Sequence, residues 1–385
     1  MTPCERFTSS IDDAAGLAAA YADQVDSEAR FPVEAVDALR RSGALSAAVP
    51  TDLGGIGISI GELCDACRVL SGSCASTGMI FAMHQVQVAC LARHVHDKPL
   101  RDYLAGLARA PRLIASITSE VGVGGDLRQS IAALEPADGD NVRFEKAGTT
   151  VSYGMYADDF LITLRRSSDA APGDQVLALV DAAAAVLRET NPWDALGMRG
   201  TCSPAITIRA ELPRSRVLAE PFATVATETM VPYSHLLWSH CWLGIADAAA
   251  QRARAFVQAS ARRAAGRPSN SGVLPQLIAE LSALRSLLRE AVDEFEAVAG
   301  GEERERLTTF GYALRLNNVK LVASETAMRV CTGALQVSGS SGYRNDTPFS
   351  VGRQLRDVLS APLMISNDRL REINATLLLV HDGVS

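Results

Sequence analysis

With 385 residues, 48% of them hydrophobic and 21% charged, the chain is long enough for several packed layers, and disorder is not the default reading of any large segment. A net charge of -7 argues against a nucleic-acid partner, which needs a concentrated basic surface. The opening residues, MTPCERFTSSIDDAAG, lack the basic start and apolar run of a secretory signal, so a cytoplasmic protein is expected.

From Ile11 to Leu107 apolar residues recur at helical spacing, as in Leu17, Tyr21 and Val25 and again in Val33, Val36 and Leu39. AVPTDLGGIGIS interrupts them as a loop, and breaks are expected at Gly72 and Pro99. Val69 to Ala92 is uncharged, but Gly72, Gly78, His84, Gln85 and Gln87 interrupt it, so a buried helix pair is expected and not a membrane span.

Between Arg112 and Leu218 the period changes. Leu113–Ile117, Thr149–Ser152, Phe160–Leu164, Val176–Val180 and Ala205–Ile208 read as short strands of a small barrel or sandwich. From Tyr233 onward helices return. Leu274, Leu277, Leu281, Leu284, Leu288, Val292 and Phe295 form an apolar stripe suited to a four-helix bundle, and PSNSG at Pro268–Gly272 marks a loop. The expected fold is mainly α with a central β domain: a helical domain over 1–111, a β domain over 112–225 and a helical bundle over 226–385.

Cys64, Cys67, Cys74 and His84 raise a zinc site, but no second closely spaced pair completes a tetrahedral set. The eight cysteines read as reduced, buried thiols, with no metal expected.

Four segments carry chemistry. ITSEVGVGGD at Ile117–Asp126 ends an apolar run in a glycine-rich loop, and WDALGMRGT occupies Trp193–Thr201. ALQVSGSSGY spans Ala334–Tyr343, and Arg356-Asp357 follows. A lone glycine loop is weak evidence, but this order and spacing resemble the acyl-CoA dehydrogenase flavoprotein family over nearly the whole chain. Ser119, Glu120, Gly122, Gly124 and Asp126 match its first motif. Gln336, Gly339, Gly342 and Tyr343 match a second, with Ser340 in place of a glycine.

The resemblance implies the same helix–β–helix fold and FAD as cofactor. Ser119 would meet the pyrimidine edge beside the Gly124 loop, and Ser152 would sit near flavin N5, with Thr150 where relatives carry an aromatic ring and Ala157-Asp158 following. Arg262 or Arg263 would hold the pyrophosphate, although the usual Thr-Phe-Gly after it is missing. Gln336, Gly339 and Gly342 would reach FAD across a subunit interface, implying a homodimer or homotetramer. Each residue also has an ordinary reading: a strand hydroxyl for the serines, a helix-dipole partner for the arginines.

Relatives that dehydrogenate acyl thioesters use a Glu to take the α-proton while hydride leaves for N5. Counting from Arg356-Asp357 puts Met364, Ile365 or Ser366 there, with no carboxylate. Asp368 follows but suits the start of the last helix, capped by Ser366 or Asn367. At the family's other base position stand Ser234 and His235.

Two enzyme classes stay open. One is α,β-dehydrogenation of an acyl thioester on coenzyme A or a carrier protein, with His235 or Asp368 as base and an electron-transfer protein as acceptor; this is the reading preferred on overall likeness. The other is a flavin-hydroperoxide monooxygenase of the same fold, fed by a flavin reductase, for which STGMIFAMHQ nominates His84.

Overall fold

The computed structural model describes residues 1–263 and 269–381. Helices α1 (Pro3–Ser27), α2 (Val33–Arg41), α3 (Ile60–Ser73), α4 (Ala75–His94) and α5 (Lys98–Arg109) form the N-terminal region. Both α1 and α3 start on capping boxes: Thr2 and Ser59 accept from the N–H three residues on, and Glu5 and Glu62 accept the caps' own N–H. Gly72 does not break α3, which ends at Ser73, and Pro99 opens α5 in its first turn, where a missing N–H costs nothing. α4 packs against α3, β1 and a later long helix and is buried on nearly every face, so its sequence is apolar all round. Among the described residues, no helix is long and apolar enough to cross a membrane.

The chain then builds two sheets. In the first, β1 (Ile114–Ile117) runs parallel to β4 (Asp159–Arg165), which pairs antiparallel with β5 (Gln175–Asp181). In the second, β2 (Glu135–Pro136), β3 (Asn141–Gly148), β7 (Ala205–Pro213) and β6 (Ala185–Asn191) lie in that antiparallel order. β4 is buried on both faces and reads as a continuous apolar run, whereas β3 alternates, with Val142, Phe144, Lys146 and Gly148 turned inward. Thr149–Ser152, expected as a strand, is the turn that leaves β3, because the strand lies upstream where Arg143, Glu145 and Lys146 interrupt the apolar run.

After α6 (Phe222–Val225), a π-helical turn at Ala226–Met230 leads into α7 (Val231–Arg263). α8 (Val273–Gly300) buries Leu277, Leu281, Leu284, Leu288, Val292 and Phe295, as their spacing predicts. α9 (Phe310–Tyr343), α10 (Gly352–Val358) and α11 (Asn367–Leu377) complete the region, and α7 packs against α3, α4, α8 and α9 at its centre. Of the expected loop, Pro268 lies outside the described residues, and Ser269–Gly272 forms a 3-10 turn. The molecule is mainly helical with a central β region, as expected.

Candidate functional site

Three loops meet at the ends of the sheets. Leaving β1, Ser119 donates to the carbonyl of Thr150 at 3.2 Å and accepts the Thr150 N–H at 3.4 Å. The turn holding Thr150 and Ser152 is fixed in turn on the loop before β7: Val151 N–H donates to Pro204 O at 3.0 Å, and Tyr153 N–H to Thr201 O at 2.7 Å. Tyr153, Met198 and Cys202 all adopt positive φ, conformations held in place by these bonds and by the Tyr153 hydroxyl donating to Ile114 O at 3.0 Å. The two serines expected at one cofactor thus lie on loops bonded to each other.

Ser152 Oγ is 3.0 Å from Ser203 Oγ, which is 2.8 Å from Thr201 Oγ1, which lies 2.8 Å from the Met198 carbonyl. Ser203 and Thr201 are buried, and Ser152 is half-buried at the rim. The sequence analysis assigned neither Ser203 nor Thr201 a role, since their convergence on Ser152 exists only in three dimensions.

In the glycine loop, Gly122, Gly124 and Gly125 have φ of 91°, 60° and 77°, a region that excludes most side chains. Glu120 turns inward and accepts from the N–H groups of Ile131 and Ala132 and from the Ser130 hydroxyl. It pairs with buried Lys146 of β3 at 3.3 Å. Burial lowers Lys146 to about 8 against the pull of Glu120, while Glu120 stays below the usual carboxylate range despite its own burial, held there by Lys146 and its donors. Arg369 of α11 donates to the carbonyls of Gly124 and Gly125 and closes the loop from the other side. A lysine on the inward face of an alternating strand was the available signal for Lys146. None pointed to Arg369.

The third loop is pinned from behind. Met198 N–H donates to Asp357 Oδ1 at 2.7 Å, and a Cβ on Gly197 would stand 2.1 Å from the carbonyl of Arg356, so only glycine permits the contact. Two of the recognised segments therefore touch.

The nominated bases do not share this rim. His84 is fully buried: its Nε2–H donates to Leu45 O at 2.6 Å, and its Nδ1 accepts from Ile114 N–H at 3.0 Å, which ties α4 to β1. Burial pushes it down to about 4, so it is neutral. Asp368 is exposed and pairs with Arg371 at 2.8 Å in the first turn of α11, whose cap is Ser366. His235 is buried in α7, donates from Nδ1 to Val231 O at 2.9 Å, leaves Nε2 without a partner among the described residues, and is also lowered to about 4 by burial.

The two family base positions are electrostatically joined by a residue that sequence reasoning passed over. Lys320 of α9 is fully buried, and its ammonium donates to Ala361 O at 3.1 Å, Ile365 O at 2.6 Å and Asn367 Oδ1 at 2.5 Å. It lies 5.4 Å from the Trp242 ring and depresses His235 further. Where relatives carry a carboxylate, this chain has a loop held by a buried lysine, which burial lowers to about 7.

Arg262 and Arg263 are exposed in the last turn of α7, beside the undescribed segment. Gln336, Gly339 and Tyr343 are exposed near the end of α9, where Gly339, at φ 53°, kinks the helix, and Gly342 is buried against Ser338. The rim fits the edge of a planar heterocycle such as a flavin. Ser119 and Ser152 are half-buried, and Ser152, accepting from the Ser203 hydroxyl, keeps its own hydrogen for an outside partner.

Two family models match the chain: acyl-CoA dehydrogenase, N-terminal domain, over residues 12–111, and acyl-CoA dehydrogenase, C-terminal domain, over residues 224–364. An amino sugar nitrososynthase from Streptomyces peucetius is 27% identical, covering 88% of this chain and 84% of its own length. A probable acyl-CoA dehydrogenase from Bacillus subtilis is 25% identical, covering 88% and 87%. Among solved structures, FMN-bound TdsC from Paenibacillus sp. A11-2, a dibenzothiophene monooxygenase, superposes with a TM-score of 0.84 at 21% identity over 97% of both chains. KijD3 in complex with FMN and a dTDP-linked amino sugar superposes with a TM-score of 0.84 at 20% identity, over 98% of this chain and 94% of that one. These structures correct the expectation of FAD, since both hold FMN.

Proposed function

The chain belongs to the acyl-CoA dehydrogenase superfamily of flavin-dependent oxidoreductases, and we propose that it is an FMN-dependent monooxygenase that oxygenates a small nitrogen- or sulfur-bearing substrate, with reduced flavin supplied by a separate reductase. The observation that carries this reading is the electrostatics at the two family base positions. A proton acceptor matched to an α-proton needs a pKa near the working pH and a free lone pair, yet His235 is lowered to about 4, and Lys320, which burial lowers to about 7, has its nitrogen committed to Ala361 O, Ile365 O and Asn367 Oδ1. Oxygenation makes no such demand. The nitrososynthase and the dibenzothiophene monooxygenase support it, while the dehydrogenase relatives share the fold.

In this reading Ser119 and Ser152 hold the edge of the flavin ring, and Gly124 and Gly125, closed by Arg369, let backbone approach it. Bound and reduced, FMN would supply the activation of molecular oxygen. Arg262 or Arg263 serves its phosphate, and the exposed Gln336–Tyr343 segment meets a second copy of the chain. His84 acts through the fold, by joining α4 to β1.

The test pairs two experiments. Protein loaded with FMN, a flavin reductase and oxygen is given amine and thioether substrates under labelled dioxygen, and label is expected in product. Separately, anaerobic protein loaded with FMN is mixed with a panel of acyl thioesters. Bleaching of its absorbance by any of them overturns the proposal.

A further inference from the structure

We propose that Lys320 and Arg369 are positioning residues that act in series: Lys320, buried in α9, fixes the start of α11 so that the Arg369 guanidinium holds the glycine loop against the flavin. The inference rests on the reading above, in which Gly124 and Gly125 approach the ring. The link between the two residues is short. Lys320 donates to the carbonyls of Ala361 and Ile365, in the turn between α10 and α11, and to Oδ1 of Asn367, the first residue of α11. The Asn367 side chain also donates to Ser324 Oγ at 3.1 Å, and its backbone N–H to Pro362 O at 2.9 Å, so the turn is closed on itself and tied to α9. Ser366, next after Ile365, caps the helix by accepting the Arg369 N–H. Arg369 then donates to the carbonyls of Gly124 and Gly125, its guanidinium laid over Gly125, where a Cβ would stand 3.4 Å from Nη1.

The turn does not keep this shape by itself. Ile365 has φ 50°, a left-handed conformation that a β-branched side chain adopts only when its surroundings impose it. Its carbonyl is the one that Lys320 holds at 2.6 Å. Without that donor Ile365 relaxes toward negative φ, the chain leaves the turn in another direction, and Arg369 is carried away from the glycine loop. Gly122, Gly124 and Gly125 bring no side chains to that loop and sample both signs of φ freely, so a donor from α11 adds order that its own sequence does not supply.

Two readouts separate the relay from the placement of the flavin. In protein without FMN, hydrogen exchange is followed at the amides of Val123, Asp126 and Gln129, each bonded within the loop. Arg369→Met and Lys320→Met should each speed exchange by about fivefold, the size of one lost hydrogen bond, and the double variant should be no faster than either. Adding Ile365→Gly to Lys320→Met should recover most of the protection, because glycine keeps a positive φ without a donor, whereas a lysine that merely fills the core would not be rescued in this way. FMN affinity is measured on the same variants and should fall and recover in step with exchange. If exchange responds as stated and affinity does not, the placement of the flavin is wrong. If Lys320→Met leaves the loop unchanged, if the two losses add, or if Ile365→Gly recovers nothing, the relay is overturned. Should Lys320→Met fail to fold, Asn367→Ala cuts the same link from the side of α11 and is judged by the same outcomes.

Discussion

The backbone N–H of Met198 donates to Oδ1 of Asp357 at 2.7 Å across 159 residues of sequence, joining the loop that carries Thr201 and Ser203 to helix α10. Asp357 is buried, and burial raises it from 3.8 to about 6, with Asp26 adding to the shift while the Met198 N–H, Arg353 and Arg356 oppose it.

That shift has a sign in pH. The folded state keeps a proton that the unfolded chain releases between about pH 4 and pH 6, so the penalty of ionising Asp357 is absent in acid, grows through that window and is complete above it, at roughly 3 kcal/mol. Asp357→Asn keeps an oxygen for Met198 and cannot ionise. Urea unfolding at pH 4.5, 5.5 and 7 should therefore show the variant gaining stability relative to wild type as pH rises. A constant difference would show that Asp357 does not titrate in this range.

Replacing His84 by Ala should act on stability. It strands the buried Ile114 N–H and leaves the Leu45 carbonyl only the Gln85 amide as donor, and the expected loss is about 1–3 kcal/mol. Because His84 is neutral above about pH 5, the loss should be flat from pH 6 to pH 8. FMN titration of the folded variant checks the rest: near-native affinity agrees with a role confined to the fold, and a large loss of affinity with intact stability contradicts it.

Glu120→Gln leaves the Lys146 ammonium buried without a countercharge and should cost about 3–5 kcal/mol in chemical denaturation. Adding Lys146→Met removes the orphaned charge and should recover much of that loss, a coupling that a double-mutant cycle measures directly. Additive losses would mean the two groups do not interact.

Lys320→Met removes the three donors that hold Ala361, Ile365 and Asn367. Hydrogen exchange of the amides over 361–367 should speed up by at least about tenfold, while those of α3 remain protected. Unchanged exchange in that loop would show that Lys320 does not hold it.

The helical and strand-rich regions were legible because they rest on local periodicity. Leu277, Leu281, Leu284 and Leu288 repeat at helical spacing whatever they pack against, and β4 reads as a strand because both of its faces are apolar. β3 escaped notice because Arg143, Glu145 and Lys146 break the apolar run, although the buried half of its alternation remains in Val142 and Phe144.

Ser119 and Ser152 were nominated from segment order alone, and tertiary structure then put their loops in contact. The absence of a carboxylate near Ser366 was also plain from the sequence, since a missing residue type needs no coordinates. What stands in its place was not. Lys320 lies 45 residues from Ile365 in the chain, and a lysine on a long helix is ordinarily solvated. Its burial, the neutrality of His235 and the convergence of Thr201 and Ser203 behind Ser152 arise only when distant segments pack and exclude water, because desolvation and hydrogen-bond partnership belong to the assembled volume and not to sequence spacing.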